Sequence, residues 1–204
     1  MRFHPSPFHF LTWAAGRVIL PLRFDIQVNG LSLLPEKGPV IIIPKHQQWW
    51  DVPLLGTFIP RPLHFLAKQE LFNLWISRFY ITRIGGIPLD RQRPLRSLST
   101  FRSLVPLIKE DAFLVIFPEG TYYPATMGPG KWRLIQMILR LQQKEALAPI
   151  AFIPLGIRYE TSRSRRIKVI ISIGEPLSET DPSKAETFTN RILKEVKTLT
   201  GLPQ

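Results

Sequence analysis

The strongest constraint on the fold is the run Val40-Ile41-Ile42-Ile43. Four consecutive β-branched residues favour extended backbone. A strand with one wet face alternates apolar and polar residues, so an unbroken apolar run predicts a strand covered on both faces. Leu63–Ala67, Phe113–Phe117, Ile150–Ile153 and Ile167–Ile173 have the same character, while Phe24–Val28 alternates and ends at the turn signal Asn29-Gly30. Helical patterns lie between and around these runs. Phe8–Leu22 reads as a helix, and so does broadly apolar Lys131–Lys144. Leu95, Leu98, Phe101, Leu104 and Ile108 share one stripe, which Pro106 is expected to kink or end. Phe188, Ile192, Val196 and Leu199 mark an amphipathic helix near the C-terminus. Strands alternating with helices predict an α/β domain: a central mixed, largely parallel sheet flanked by helices. Such sheets bind ligands beyond the carboxyl ends of their strands, so the residues just past each apolar run are the candidates for chemistry.

The 204 residues suit one folded domain, and neither a repeat nor a long linker divides them. With 45% hydrophobic residues the chain is not disordered. The absence of cysteine excludes disulfides, thiolate metal sites and a cysteine nucleophile. Lys+Arg is 27 against 15 Asp+Glu, a net charge of +12, and arginine predominates. Arginine suits phosphate, whether on nucleic acid, lipid or a small substrate. Mean hydropathy is +0.03, and basic and apolar residues interleave, which favours a membrane surface over nucleic acid. A spanning helix needs about 20 apolar residues. The longest uncharged apolar run, 146–157, contains Pro149 and Pro154. Arg17 and Arg23 interrupt and follow the greasy N-terminal stretch, which reads as a retained interfacial helix rather than a signal peptide. The expected organisation is a membrane-associating helix over residues 1–23 and one folded domain over 24–204.

Three clusters stand out, two of them directly after predicted strands. After Val40–Ile43 comes Pro44-Lys45-His46-Gln47-Gln48-Trp49-Trp50-Asp51. A turn between His46 and Asp51 would bring the carboxylate to one imidazole nitrogen and leave the other as a proton acceptor. Alone, the pair reads equally well as a loop histidine beside a helix cap. After Phe113–Phe117 comes Pro118-Glu119-Gly120-Thr121, a carboxylate and a glycine where active sites form, or a plain strand-to-loop turn. Gly85-Gly86-Ile87-Pro88-Leu89-Asp90-Arg91 ends a short extended segment with a residue able to grip phosphate, or forms a solvated basic loop. Arg158, Arg163, Arg165, Arg166 and Lys168 form a basic patch, either membrane-facing or solvated.

Together these clusters resemble the glycerophospholipid acyltransferase family, in particular its lysophosphatidic acid acyltransferase branch. His46 to Asp51 matches the His-x4-Asp block, and Gly85 to Arg91 resembles the Gly-x-Ile-x-x-Asp-Arg block. Phe117 to Thr121 matches Phe-Pro-Glu-Gly-Thr residue for residue, and Ile153-Pro154-Leu155-Gly156 resembles the last, proline-centred block. The resemblance implies a glycerol-3-phosphate acyltransferase-like fold. It also implies transfer of an acyl group from acyl-CoA or acyl carrier protein to a lysolipid hydroxyl, most simply that of 1-acylglycerol-3-phosphate. By the same resemblance His46 is the general base, oriented by Asp51, and Arg91 holds the acceptor phosphate. Glu119, Gly120 and Thr121 shape the acceptor site, and Lys68 or its N–H is a candidate oxyanion donor. No metal or bound cofactor is implied. The partners are membrane lipids rather than nucleic acid, and the location is peripheral or monotopic on the cytoplasmic face.

One departure stands out. The family block commonly continues with arginine and serine, whereas Tyr122, Tyr123 and Pro124 follow Thr121 here. This leaves another lysolipid, a glycolipid or another alcohol open as acceptor. Two further readings remain: a hydrolase or transacylase using the same pair, and a basic membrane-binding module without catalysis.

Overall fold

The computed structural model describes residues 7–89, 104–160 and 165–202. Helix α1 (Pro7–Arg23) leads directly into strand β1 (Phe24–Asn29). Then come β2 (Val40–Pro44), α2 (Asp51–Phe58), β3 (Leu63–Lys68), α3 (Trp75–Arg83) and β4 (Gly86–Leu89). The described part of helix α4 covers residues 104–109. After it come β5 (Phe113–Val115), α5 (Trp132–Lys144), β6 (Ala151–Glu160), β7 (Ile167–Ile173) and α6 (Ala185–Thr200).

The seven strands form one sheet in the order β1-β7-β6-β2-β5-β3-β4. Neighbours pair parallel throughout except β6 with β7. The expected central mixed, largely parallel sheet is therefore present, with helices on both faces. The run 40–43 shows why: Val40 and Ile42 belong to the apolar cluster under α1 and α2, while Ile41 and Ile43 belong to the one under α5 and α6. Period-2 geometry sends alternate residues to opposite faces, so a strand with two dry faces needs four apolar residues in a row.

Several elements depart from expectation. β6 runs from Ala151 to Glu160, well beyond Ile153. Pro154 and Gly156 read as strand breakers, yet Pro154 is tolerated opposite Ile43 and residues 155–160 pair with β7. β5 ends at Val115, although Ile116 still donates its N–H to Ile42 O at 3.0 Å. Residues 104–109 are helical on both sides of Pro106, so the proline does not end the helix there. Helix α3 had no counterpart in the apolar pattern, because Trp75 and Phe79 point outward instead of forming an inward stripe.

Helix α1 covers nearly the expected span. Its Leu20 is buried against β1 and α2, while Phe10, Leu11, Val18, Ile19 and Leu22 are exposed. Gly16 permits the close crossing over α2, since a Cβ there would run into the Thr57 hydroxyl. Among the described residues, no helix is long and apolar enough to cross a membrane.

Candidate active site

The parallel pairing of β2, β5 and β3 aligns their carboxyl ends, and the loops leaving β2 and β5 meet there. Tyr123 N–H donates to His46 O at 3.0 Å, tying the two loops together. β6 continues past the end of β2, so its distal residues reach the same place: Ile157 O accepts from Gln47 Nε2, and Tyr159 lies over Asp51.

His46 Nδ1 lies 2.9 Å from Asp51 Oδ2. Asp51, the first residue of α2, is fully buried. The same Oδ2 accepts from Gln47 N–H at 2.7 Å and Gln48 N–H at 2.9 Å, and Oδ1 accepts from Tyr159 Oη at 2.7 Å. A carboxylate surrounded by donors is an acceptor, so the geometry assigns the imidazole proton to Nδ1 and leaves Nε2 as the basic nitrogen. The ring is clamped between Phe117, stacked at 3.8 Å between centroids, and Tyr122, tilted at 4.4 Å. Burial, and secondly the charge of Asp51, push the Tyr122 phenol above its ordinary range. Tyr159 is pushed upward by burial first, then by the Asp51 charge and the hydrogen bond to it.

Behind the histidine lies a second buried ionic system. Lys45 Nζ meets Glu119 Oε1 at 2.8 Å and Oε2 at 2.9 Å, and also donates to Tyr123 O and His46 O. Glu119 further accepts from His46 N–H at 3.0 Å and Gly128 N–H at 2.7 Å. Its carboxylate thus faces inward and joins the two loops. Gly120 is buried with φ at 75°, a left-handed conformation that favours glycine at the turn after Glu119. Thr121 is exposed beside it. Lys68 is exposed at the carboxyl end of β3, on the same edge of the sheet. Arg91 lies outside the described residues, two positions beyond β4. Of the basic patch, Arg163 is also outside them; Arg158 and Lys168 pair with Glu160, and Arg166 donates to Pro21 O of α1.

Sequence reasoning gave no role to Lys45, Gln47, Phe117 or Tyr159. A lysine next to the histidine and a glutamate after the neighbouring strand are the one signal that pairing invited; nothing local marked Tyr159.

A cavity of about 680 Å³ adjoins the site. It is lined from α1 by Trp13, Gly16 and Ile19, and near Asp51 by Trp49, Trp50 and Pro53. Its walls are overwhelmingly apolar, and its volume suits a small-molecule ligand.

A His–Asp pair with Nδ1 held by the carboxylate can deprotonate a hydroxyl through Nε2, and Trp49 and Trp50 of the same loop line an apolar cavity. Comparison with known proteins agrees in class. The acyltransferase family model matches residues 25–158. The chain belongs to the acyltransferase family and is an O-acyltransferase. A 1-acyl-sn-glycerol-3-phosphate acyltransferase of Bacillus subtilis is 34% identical over 178 residues, covering 83% of this chain and 84% of that protein. The Streptococcus pneumoniae protein of the same name is 30% identical, covering 93% of this chain and 73% of its own length. The crystal structure of the 1-acyl-sn-glycerophosphate acyltransferase of Thermotoga maritima superposes with a TM-score of 0.66 at 20% identity, over 93% of this chain and 79% of that one. This last likeness confirms the fold.

Proposed function

We propose that the protein transfers a fatty acyl group from acyl-CoA or acyl carrier protein to the free hydroxyl of 1-acylglycerol-3-phosphate, giving phosphatidic acid. The observation that carries this reading is the His46–Asp51 contact, with Nε2 left as base at the carboxyl edge of the sheet. His46 Nε2 takes the acceptor's hydroxyl proton as the oxygen attacks the thioester carbonyl carbon. The carbonyl π-pair moves to oxygen, and the tetrahedral oxyanion needs a donor, a role for Lys68 or its N–H. Collapse breaks the C–S bond, and the departing thiolate takes the proton from the imidazolium. The ester, a free thiol and neutral His46 result, with no covalent acyl-enzyme.

Asp51 orients His46 and stabilises the imidazolium. Lys45 and Glu119 fix the two loops that carry the base and the acceptor site. Gly120 and Thr121 line the approach of the glycerol, and Arg91 holds the phosphate. The apolar cavity takes an acyl chain. The exposed apolar face of α1, with Arg17 and Arg23, seats the molecule peripherally on an anionic leaflet, on the cytoplasmic face where thioester donors are made.

Tyr122 supports a second reading of the acceptor alone, because it stands against His46 where the family commonly continues with arginine. The test is an acceptor panel with purified protein, acyl-CoA and vesicles, read as free thiol. 1-Acylglycerol-3-phosphate is expected to be the preferred acceptor, and Arg91→Ala is expected to raise its apparent KM while sparing an uncharged lysolipid. Preference for an uncharged acceptor, with phosphate use gained by Tyr122→Arg, would move the acceptor to the second reading. No thiol release with any acceptor would refute acyl transfer.

A further inference from the structure

Asp51 is held at both oxygens, and only one of them is accounted for by the histidine loop. Oδ2 takes His46 Nδ1–H and the N–H groups of Gln47 and Gln48. Oδ1 takes the phenol of Tyr159, from a strand 108 residues away, at 2.7 Å. The carboxylate turns as one rigid plane about its broad, two-fold Cβ–Cγ torsion, so a donor on Oδ1 from a separate strand restrains Oδ2 as well. With Asp51 fully buried, water is poorly placed to replace the phenol.

We propose that Tyr159 is a positioning residue of the catalytic pair, pinning Asp51 Oδ1 so that Oδ2 stays in line with His46 Nδ1. The inference rests on the acyl-transfer reading for its effect on turnover, though not for its effect on the imidazole. The anchor is rigid. β6 pairs antiparallel with β7 through Tyr159↔Val169. The tyrosine ring meets Phe24 edge-on at 6.5 Å between centroids, and Phe24 meets Trp50, next to Asp51, edge-on at 5.2 Å. Burial and the Asp51 charge keep the phenol protonated, so it remains a donor. Removing it lets the carboxylate turn out of line with Nδ1, which weakens the Asp51 contact that stabilises the imidazolium and lowers the proton affinity of His46. Among the described residues, the titratable groups around the pair include Tyr122 and Tyr123 from the loop after β5 and the mutually neutralising Lys45 and Glu119.

The test is Tyr159→Phe, which removes one oxygen from a packed ring. Loss of a hydrogen bond to a charged group predicts a fall in kcat of about tenfold or more, with little change in KM. The acid limb of the pH profile of kcat/KM moves to lower pH. In an Asp51→Asn background the same change has little further effect, because the phenol acts through Asp51. The His46 imidazole titration, followed by NMR and assigned by its loss in His46→Ala, moves downward in Tyr159→Phe. This last readout needs no turnover, so it separates failure of this proposal from failure of the acyl-transfer reading. An unmoved titration and pH profile, or losses that multiply in the double variant, would overturn the positioning role. A variant that melts lower while its titration stays put would make Tyr159 structural.

Discussion

Lys45 and Glu119 meet at 2.8 Å with neither side chain open to water. Breaking such a pair from one side leaves a buried, unpaired charge, at a cost of about 3–5 kcal/mol. Lys45→Met or Glu119→Gln should therefore lower the melting temperature sharply, while the paired Lys45→Met/Glu119→Gln protein recovers much of the loss. Equal, additive losses in thermal denaturation would show that the two residues do not act as a pair. Tyr159 makes a prediction of the opposite chemical kind. Its phenol titrates higher in the folded chain than in the unfolded one, where tyrosine titrates near about 10. Its stabilising contribution is whole below that pH. Above it the unfolded chain loses the proton first, and stability falls by about 1.4 kcal/mol per pH unit for this group. Tyr159→Phe should flatten that alkaline slope in urea denaturation; an unchanged slope would contradict the burial of the phenol. His46, Asp51 and Glu119 were visible in the sequence because each pattern is local, a histidine and a carboxylate within one turn or a carboxylate and a glycine after one strand. Lys45–Glu119 and Tyr159–Asp51 were not, because 74 and 108 residues separate the partners. Only the strand order brings them together.

At the scale of elements, the legible strands were those whose two faces are both dry. β2 announces itself through four β-branched residues, whereas β6 hides behind Pro154 and Gly156 and ends in half-buried polar residues. Helix α3 was invisible for the converse reason: its apolar residues Trp75 and Phe79 face outward, with Leu74 just before it. Helix α1 combines both behaviours. Leu20 and Gly16 fasten it to the domain, while Phe10, Leu11, Val18, Ile19 and Leu22 remain exposed. Truncation would therefore uncover the core as well as remove the exposed face. Leu11→Glu with Val18→Glu alters the exposed face alone. Sedimentation with anionic vesicles should show affinity reduced by about tenfold or more, since apolar area is lost and like charge is added. Turnover of a soluble short-chain acceptor should survive. Unchanged sedimentation would remove α1 from the membrane contact.

For the whole molecule, the sheet order does the placing. β2, β5 and β3 run parallel, so His46, the Glu119 loop and Lys68 emerge on one edge, and the overlong β6 brings Tyr159 over the same edge. α1 and α2 wall an apolar cavity beside it. We infer that these features together serve an acyl transfer at a lipid surface, in a chain without a cysteine nucleophile. The central claim is that His46 is the base for this transfer. General-base removal costs about a hundredfold to ten-thousandfold. The direct measurement is thiol release from acyl-CoA with vesicle-borne 1-acylglycerol-3-phosphate, comparing the wild-type protein with folded His46→Ala. The account predicts release that depends on the acceptor in the wild type and falls by at least about a hundredfold in the variant; near-normal release by His46→Ala would contradict it.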